Sequence, residues 1–91
     1  MTLDFPNQSR SYDAARRAVR FWGNENAMEI SFIVTEEVLK RIQPGVQFDE
    51  AEILRAFDLH RILISKVAAN AYRRHRKKFY ELSSSDLDRA V

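Results

Sequence analysis

One apolar stripe at helical spacing constrains the fold more than any other feature of this chain. Between Asp49 and Lys77, residues Ile53, Phe57, Ile64, Val67, Ala68 and Ala71 recur at intervals that stack side chains on one face of an α-helix. A helix this long cannot bury that stripe on itself and needs a second layer to lie on. Its start is clearly marked. Asp49 stands where an N-cap accepts from free backbone amides, and Glu52 three residues later completes a capping box. Phe48 and Ile53 are spaced for a hydrophobic staple. The charge along the segment is uneven. Asp49, Glu50 and Glu52 lead, whereas Arg61 to Lys78 carries Arg61, Lys66, Arg73, Arg74, Arg76, Lys77 and Lys78 and no acid. That order suits the helix dipole. The spacing predicts one uninterrupted helix over roughly 49–77.

The second layer is visible in the alternating runs. Val19 and Phe21 point one way, and Arg20 and Trp22 the other. After Gly23-Asn24-Glu25-Asn26, which has turn chemistry, Met28, Ile30, Phe32 and Val34 alternate with Glu29 and Ser31. This predicts an antiparallel hairpin, 18–22 with 27–34. Thr35-Glu36-Glu37 should open a short helix carrying Val38, Leu39 and Ile42, and Gln43-Pro44-Gly45 should end it. Thr2–Phe5 reads as a strand stopped by Pro6, Asn7–Ser11 as a polar connection, and Tyr12–Arg17 as a helical turn capped by Ser11. Phe79–Leu82 reads as a last strand, and residues 83–91 as a frayed tail. The expected architecture is therefore a two-layer α+β fold. An antiparallel sheet, the hairpin 18–22/27–34 plus terminal strands, is covered by a short helix and one long helix. With 91 residues the chain is expected to be a single domain spanning 1–91.

Composition narrows the function. There is no cysteine, so disulfides, thiolate metal sites and cysteine nucleophiles are excluded. The amino-terminal residues lack a basic stretch followed by an apolar one, and no apolar run approaches the ~18–20 residues of a membrane span. A cytoplasmic protein with no membrane partner is expected. The formal net charge is only +2, so local clusters, not the total, must argue for an anionic partner.

The strongest such cluster is Tyr72-Arg73-Arg74-His75-Arg76-Lys77-Lys78-Phe79-Tyr80. Arg73, Arg74, Arg76, Lys77 and Lys78 are the candidate polyanion-binding residues, because cations neutralise phosphates and flanking aromatics stack on bases. Five phosphate contacts would give a log–log salt slope near about −4 to −5 on duplex DNA. The plainer reading is a solvated face at a helix carboxyl end. Arg10, Arg16, Arg17 and Arg20 form a second basic group, with Glu29 as the expected cross-strand partner of Arg20.

Catalytic signals are poor. His60 lies near the apolar stripe beside Arg61, and a hydrogen-bonded sub-surface histidine is the ordinary reading. Asp58 falls on another side of the helix, where it suits an ion pair with Arg61 rather than orienting an imidazole. His60 and His75 would stand roughly 22 Å apart along one helix and could not share a metal. The triple serine has neither a glycine elbow nor a nearby base. Gly23 and Gly45, the only glycines, cannot build a phosphate loop. No catalytic residue, metal or cofactor is assigned, and the chain is expected not to be an enzyme.

Leu59, Ile62 and Ala69 sit off the main stripe. Either the short helix at 36–42 covers them, which is ordinary packing, or they form an interaction face for a homodimer or another protein. The leading expectation is a small non-catalytic interaction domain, with nucleic-acid or other polyanion binding as the alternative.

Several scattered residues together suggest a family. They are Phe5-Pro6; Tyr12-Asp13 followed by Arg17-Ala18-Val19-Arg20-Phe21; Val34-Thr35 with Glu37 and Leu39; Phe57 with His60-Arg61 and Ile64; and Ala68 and Tyr72. By their order and spacing the chain resembles a proteobacterial family of short proteins of unknown function, as in small Shewanella hypothetical proteins. The resemblance runs over nearly the whole chain. It implies a small α+β fold and brings no activity, substrate or cofactor with it.

Overall fold

The computed structural model describes residues 3–6, 9–47 and 49–90. The chain runs β1 (Arg10–Asp13), β2 (Ala18–Glu25), β3 (Met28–Thr35), α1 (Glu36–Ile42), α2 (Glu50–Leu59), α3 (Arg61–Arg74), β4 (Phe79–Leu82) and α4 (Ser84–Ala90). It is a mixed α+β fold built on a four-stranded sheet in the order β1-β2-β3-β4.

The hairpin forms with its predicted faces but is longer than expected. Gly23, Asn24 and Glu25 continue β2 instead of turning, and Glu25 pairs with Met28. The turn is left to Asn26 and Ala27, with Asn26 at φ 57°, a left-handed conformation that asparagine tolerates. Gly23 is required for packing. A Cβ there would lie 2.9 Å from Phe5 Cε2 and 3.2 Å from Leu3 Cδ1, so the missing side chain makes room for the amino-terminal segment. That segment does not form the expected strand over residues 2–5. It makes a single antiparallel bridge, Asp4 to Asn24; Thr2 lies outside the described residues.

Three further expectations are corrected. Residues 12–17 do not form a helical turn; Tyr12 and Asp13 belong to β1, opposite Val19 and Ala18. An isolated helical turn is costly to nucleate, whereas the free edge of β2 offers backbone partners. The sheet is not wholly antiparallel. β4 pairs parallel to β3, with Phe32 opposite Tyr80 and Val34 opposite Leu82. Three helices intervene between β3 and β4, and such a crossover returns the chain to the end where β3 began. Residues 84–90 are not a frayed tail. They form α4, whose Leu87 and Ala90 are buried in the core; Val91 lies outside the described residues.

The long helix is divided. α2 ends at Leu59 and α3 begins at Arg61, with His60 at φ −107°, ψ 21° between them. Hydrogen bonds run from His60 N to Ala56 O and from Ile64 N to His60 O, so His60 closes one helix and opens the next. No proline or glycine marks the place. The imidazole bonds Gln43 Oε1, 2.9 Å away on the connection after α1, which holds the junction to its neighbour. α3 also stops at Arg74, short of the expected Lys77.

Local signals elsewhere hold. The Thr35 hydroxyl accepts from Val38 N at 3.3 Å, and Asp49 Oδ1 accepts from Glu52 N at 3.0 Å. The capping box is only half formed: the Glu52 carboxylate turns to Arg55, at 2.8 Å, instead of reaching back to the Asp49 amide. Phe48, the other half of the expected staple, lies outside the described residues. Every member of the predicted stripe, from Ile53 to Ala71, is buried. The stripe rests on a row of rings: Phe57 on Phe21, Phe21 stacked on Phe32, and Phe32 stacked on Tyr80, with centroids 5.1–5.3 Å apart. Burying each such aromatic side chain contributes about 1.5–3 kcal/mol.

Candidate interaction surface

The outer side of α2 and α3 is the least ordinary surface of the molecule. Leu59 is 71% exposed and Ile62 90% exposed. At about 100° per residue they stand on the pole opposite Phe57 and Ile64. Packing by α1 does not cover them, because α1 lies against α2, α4 and β3 without reaching that pole. Ala69 is half-buried two turns further on, so it borders the exposed pair. The same helical face continues through Arg55, Lys66 and Arg73, all exposed.

The charges around this strip are unevenly engaged. Asp58 is held by Arg10 in a two-pronged contact, Nε to Oδ1 at 2.9 Å and Nη2 to Oδ2 at 2.8 Å. Arg61 approaches its Oδ1 at 3.4 Å, which is the ion pair expected from the spacing. Burial pushes the Asp58 carboxyl upward, but the hydrogen bonds and charges of Arg10 and Arg61 outweigh that and hold it below its ordinary range. Arg55 pairs with Glu52 at 2.8 Å, an exposed contact of small energetic weight. Lys66 has no carboxylate within reach among the described residues.

The basic end of α3 is less available than its sequence suggests. Arg74 is bound to Asp86 at 2.5 Å, and Arg76 lies 3.4 Å from Glu25 and over the Tyr72 ring. Arg73 bonds Asn70. Lys77 lies over the Tyr80 ring, and among the described residues neither Lys77 nor Lys78 meets a carboxylate. The second basic group reaches the same neighbourhood. Arg16 and Arg20 lie 5.6 and 5.7 Å from the centre of the Phe79 ring. Glu29 is not the partner of Arg20: the register puts Arg20 opposite Ile33 and Glu29 opposite Asn24, and Arg20 pairs with Asp13 at 3.5 Å. The five polyanion candidates therefore share one end of the molecule, but two of them are already tied to carboxylates.

Two buried glutamates had no sequence signal. Glu25 and Glu36 are each 5% exposed. Glu25 Oε1 accepts from the Tyr72 hydroxyl at 2.5 Å, and Oε2 has no hydrogen-bond partner among the described residues. Glu36 accepts from the Tyr12 hydroxyl and pairs with Arg17 Nε at 3.3 Å. Each hydrogen bond raises the tyrosine pKa above its ordinary value, because the carboxylate stabilises the protonated phenol; burial adds to the effect. The only legible hint was the position of Glu25 on the inward side of β2, visible once that strand is known to extend past Gly23.

His60 bonds the Gln43 amide oxygen and lines an open groove with Arg41 and Asp88. Among the described residues no three metal-ligating side chains come together. No helix among them is long and apolar enough to cross a membrane. An open groove of about 600 Å³ lies where β3 and β4 end, lined by Arg16, Arg17, Lys40, Glu36 and Glu81. Its cations and acids are intermixed.

Comparison with the curated proteins gives no match. Among solved structures the chain is similar to the crystal structure of a protein of unknown function from the DUF1488 family of Shewanella loihica PV-4. The TM-score is 0.72 at 14% identity, over 88% of this chain and 90% of that one. That likeness shows the fold. A family model, described as a protein of unknown function (DUF1488), matches residues 3–83. The chain accordingly belongs to the DUF1488 family.

Proposed function

We propose that this protein is a non-catalytic interaction domain of the cytoplasm that docks another protein chain, in one form a second copy of itself, through the strip of Leu59, Ile62 and Ala69. The observation that carries this reading is the exposure of Leu59 and Ile62 on the pole facing away from the core. Scattered surface leucines are normal. Two large aliphatics one turn apart, left largely bare by the described residues, supply the apolar centre that protein interfaces use. Covering both removes apolar area worth about 1.5–3 kcal/mol for each side chain. The engagement of His60 with Gln43 supports the non-catalytic part. Polyanion binding has less support, since Arg74 and Arg76 already face Asp86 and Glu25.

Site-specific photo-crosslinking tests the reading. A photoreactive residue at position 59 or 62 should form a protein adduct, and one at the exposed Arg89 on α4 should not. The adduct at 62 should disappear when Leu59→Glu is also present. A product of twice the chain mass identifies the self-associated form. Equal crosslinking at 62 and 89, or none at either 59 or 62, would remove the proposal.

A further inference from the structure

The charges along the strip say what kind of chain it accepts. We infer that the partner presents an acidic amphipathic helix, its apolar side on Leu59 and Ile62 and its carboxylates on Arg55, Lys66 and Arg73. This rests on the docking reading above and adds the chemistry of the partner.

Arg55, Leu59, Ile62, Lys66, Ala69 and Arg73 recur at helical spacing down one face, and all but the half-buried Ala69 are exposed. Two aliphatics are thus bracketed by cations on both sides along the helix. The acids close enough to neutralise them are few. Glu52 reaches Arg55, while Asp58 is occupied by Arg10 and Arg61 on the other flank. Lys66 sits one turn beyond Ile62 with no acid beside it among the described residues. An apolar centre with cations before and after it along the helix, its nearest acids Glu52 and Asp58 already paired with arginines, selects a partner of the opposite sign and repels one of its own.

The same pattern disfavours other occupants. In a two-fold pair centred between Leu59 and Ile62, position 55 of one copy meets position 66 of the other. Arg55 would then face Lys66, and like charges across an interface are costly. Nucleic acid would find phosphate partners but no aromatic ring on the strip to stack its bases. A membrane-surface helix needs a wide apolar face, and two side chains do not make one. A helix laid along a helix, by contrast, needs anchors at one-turn spacing, which Leu59 and Ile62 provide.

The test uses the full chain and two synthetic helical peptides. Both carry leucines at i, i+3, i+4 and i+7, and the remaining positions are glutamate in one and lysine in the other. Binding is followed by amide and methyl NMR shifts. The glutamate peptide should shift Leu59, Ile62 and Ala69, bind at least about tenfold tighter than the lysine peptide, and weaken as salt shortens the Debye length from about 10 Å at 0.1 M to about 3 Å at 1 M. In K66E/R73E, and to a smaller degree in K66E alone, the preference should reverse. Equal binding of both peptides at the strip would overturn the acidic-partner inference and leave the docking reading in place. So would a preference unchanged in K66E/R73E, or a dimer in sedimentation equilibrium with the strip buried. Shifts confined to Lys77, Lys78 and their neighbours would also overturn it, and the crosslinks at 59 and 62 then decide the docking reading on their own.

Discussion

The two sides of the α2–α3 rod use the same kinds of residue for opposite ends. Inward, Ile53, Phe57, Ile64 and Val67 are buried against the sheet; outward, Leu59 and Ile62 stand in solvent between cations. The inner side is fixed by its own chain, since Phe57 meets Phe21 and the rows of β2 and β3 below it. The outer side has no such partner among the described residues. An isoleucine is therefore structural or available according to which pole of one helix it occupies.

The largest effect expected from this comparison is on the inner side. Phe57→Ala should cost about 3–5 kcal/mol, because the cavity would open in the middle of the ring row. Urea unfolding measures it. A loss below about 1 kcal/mol would mean that the inner face is not the foundation described above. Gly23→Ala follows. The added methyl meets Phe5 and Leu3, so the amino-terminal segment must lift or the hairpin must shift, at a cost of about 1–3 kcal/mol. Hydrogen exchange should show the loss at Asp4 and Asn24, whose amides bond each other's carbonyls.

How much of this was legible in the chain follows from the physics of each signal. The inner stripe, the hairpin faces and the two caps at Thr35 and Asp49 depend on neighbours in sequence, and periodicity finds them. The break at His60 lies against Gln43, distant in sequence, and the parallel placement of β4 depends on where three helices return the chain; neither leaves a mark in local spacing. β1 was misread because its pairing partner, not its own composition, makes it a strand. The outward position of Leu59 and Ile62 was legible as a departure from the stripe. That α1 would leave them bare was not, because it is a matter of tertiary packing. Glu25 was hidden because Gly23-Asn24-Glu25-Asn26 has the composition of a turn.

pH sharpens the comparison at intermediate strength. The Asp58 carboxyl is held low by Arg10 and Arg61. Its contribution is present above the unfolded pKa of about 3.9 and is lost as pH falls through the lower folded value. Asp58→Asn should therefore flatten the acid limb of the stability profile. Tyr72 behaves in the opposite sense. Its folded pKa is raised by Glu25, so its contribution is whole below about pH 10 and is lost as pH rises through the folded value. Tyr72→Phe should shallow the alkaline limb, read from urea midpoints between pH 8 and pH 11. An unchanged alkaline limb would mean that the contact with Glu25 carries no stability.

The smallest effect on folding is expected where the largest effect on binding is. The most direct measurement is therefore a pair made on one protein, L59E/I62E: its urea unfolding free energy, and its crosslinking from a photoreactive residue at the neighbouring position 66. Stability within about 0.5 kcal/mol of the parent is expected, as for surface substitutions generally, together with loss of the adduct that the parent forms. A loss of stability above about 2 kcal/mol, or an adduct that persists at full yield, would contradict the view that these two side chains belong to a partner and not to the fold.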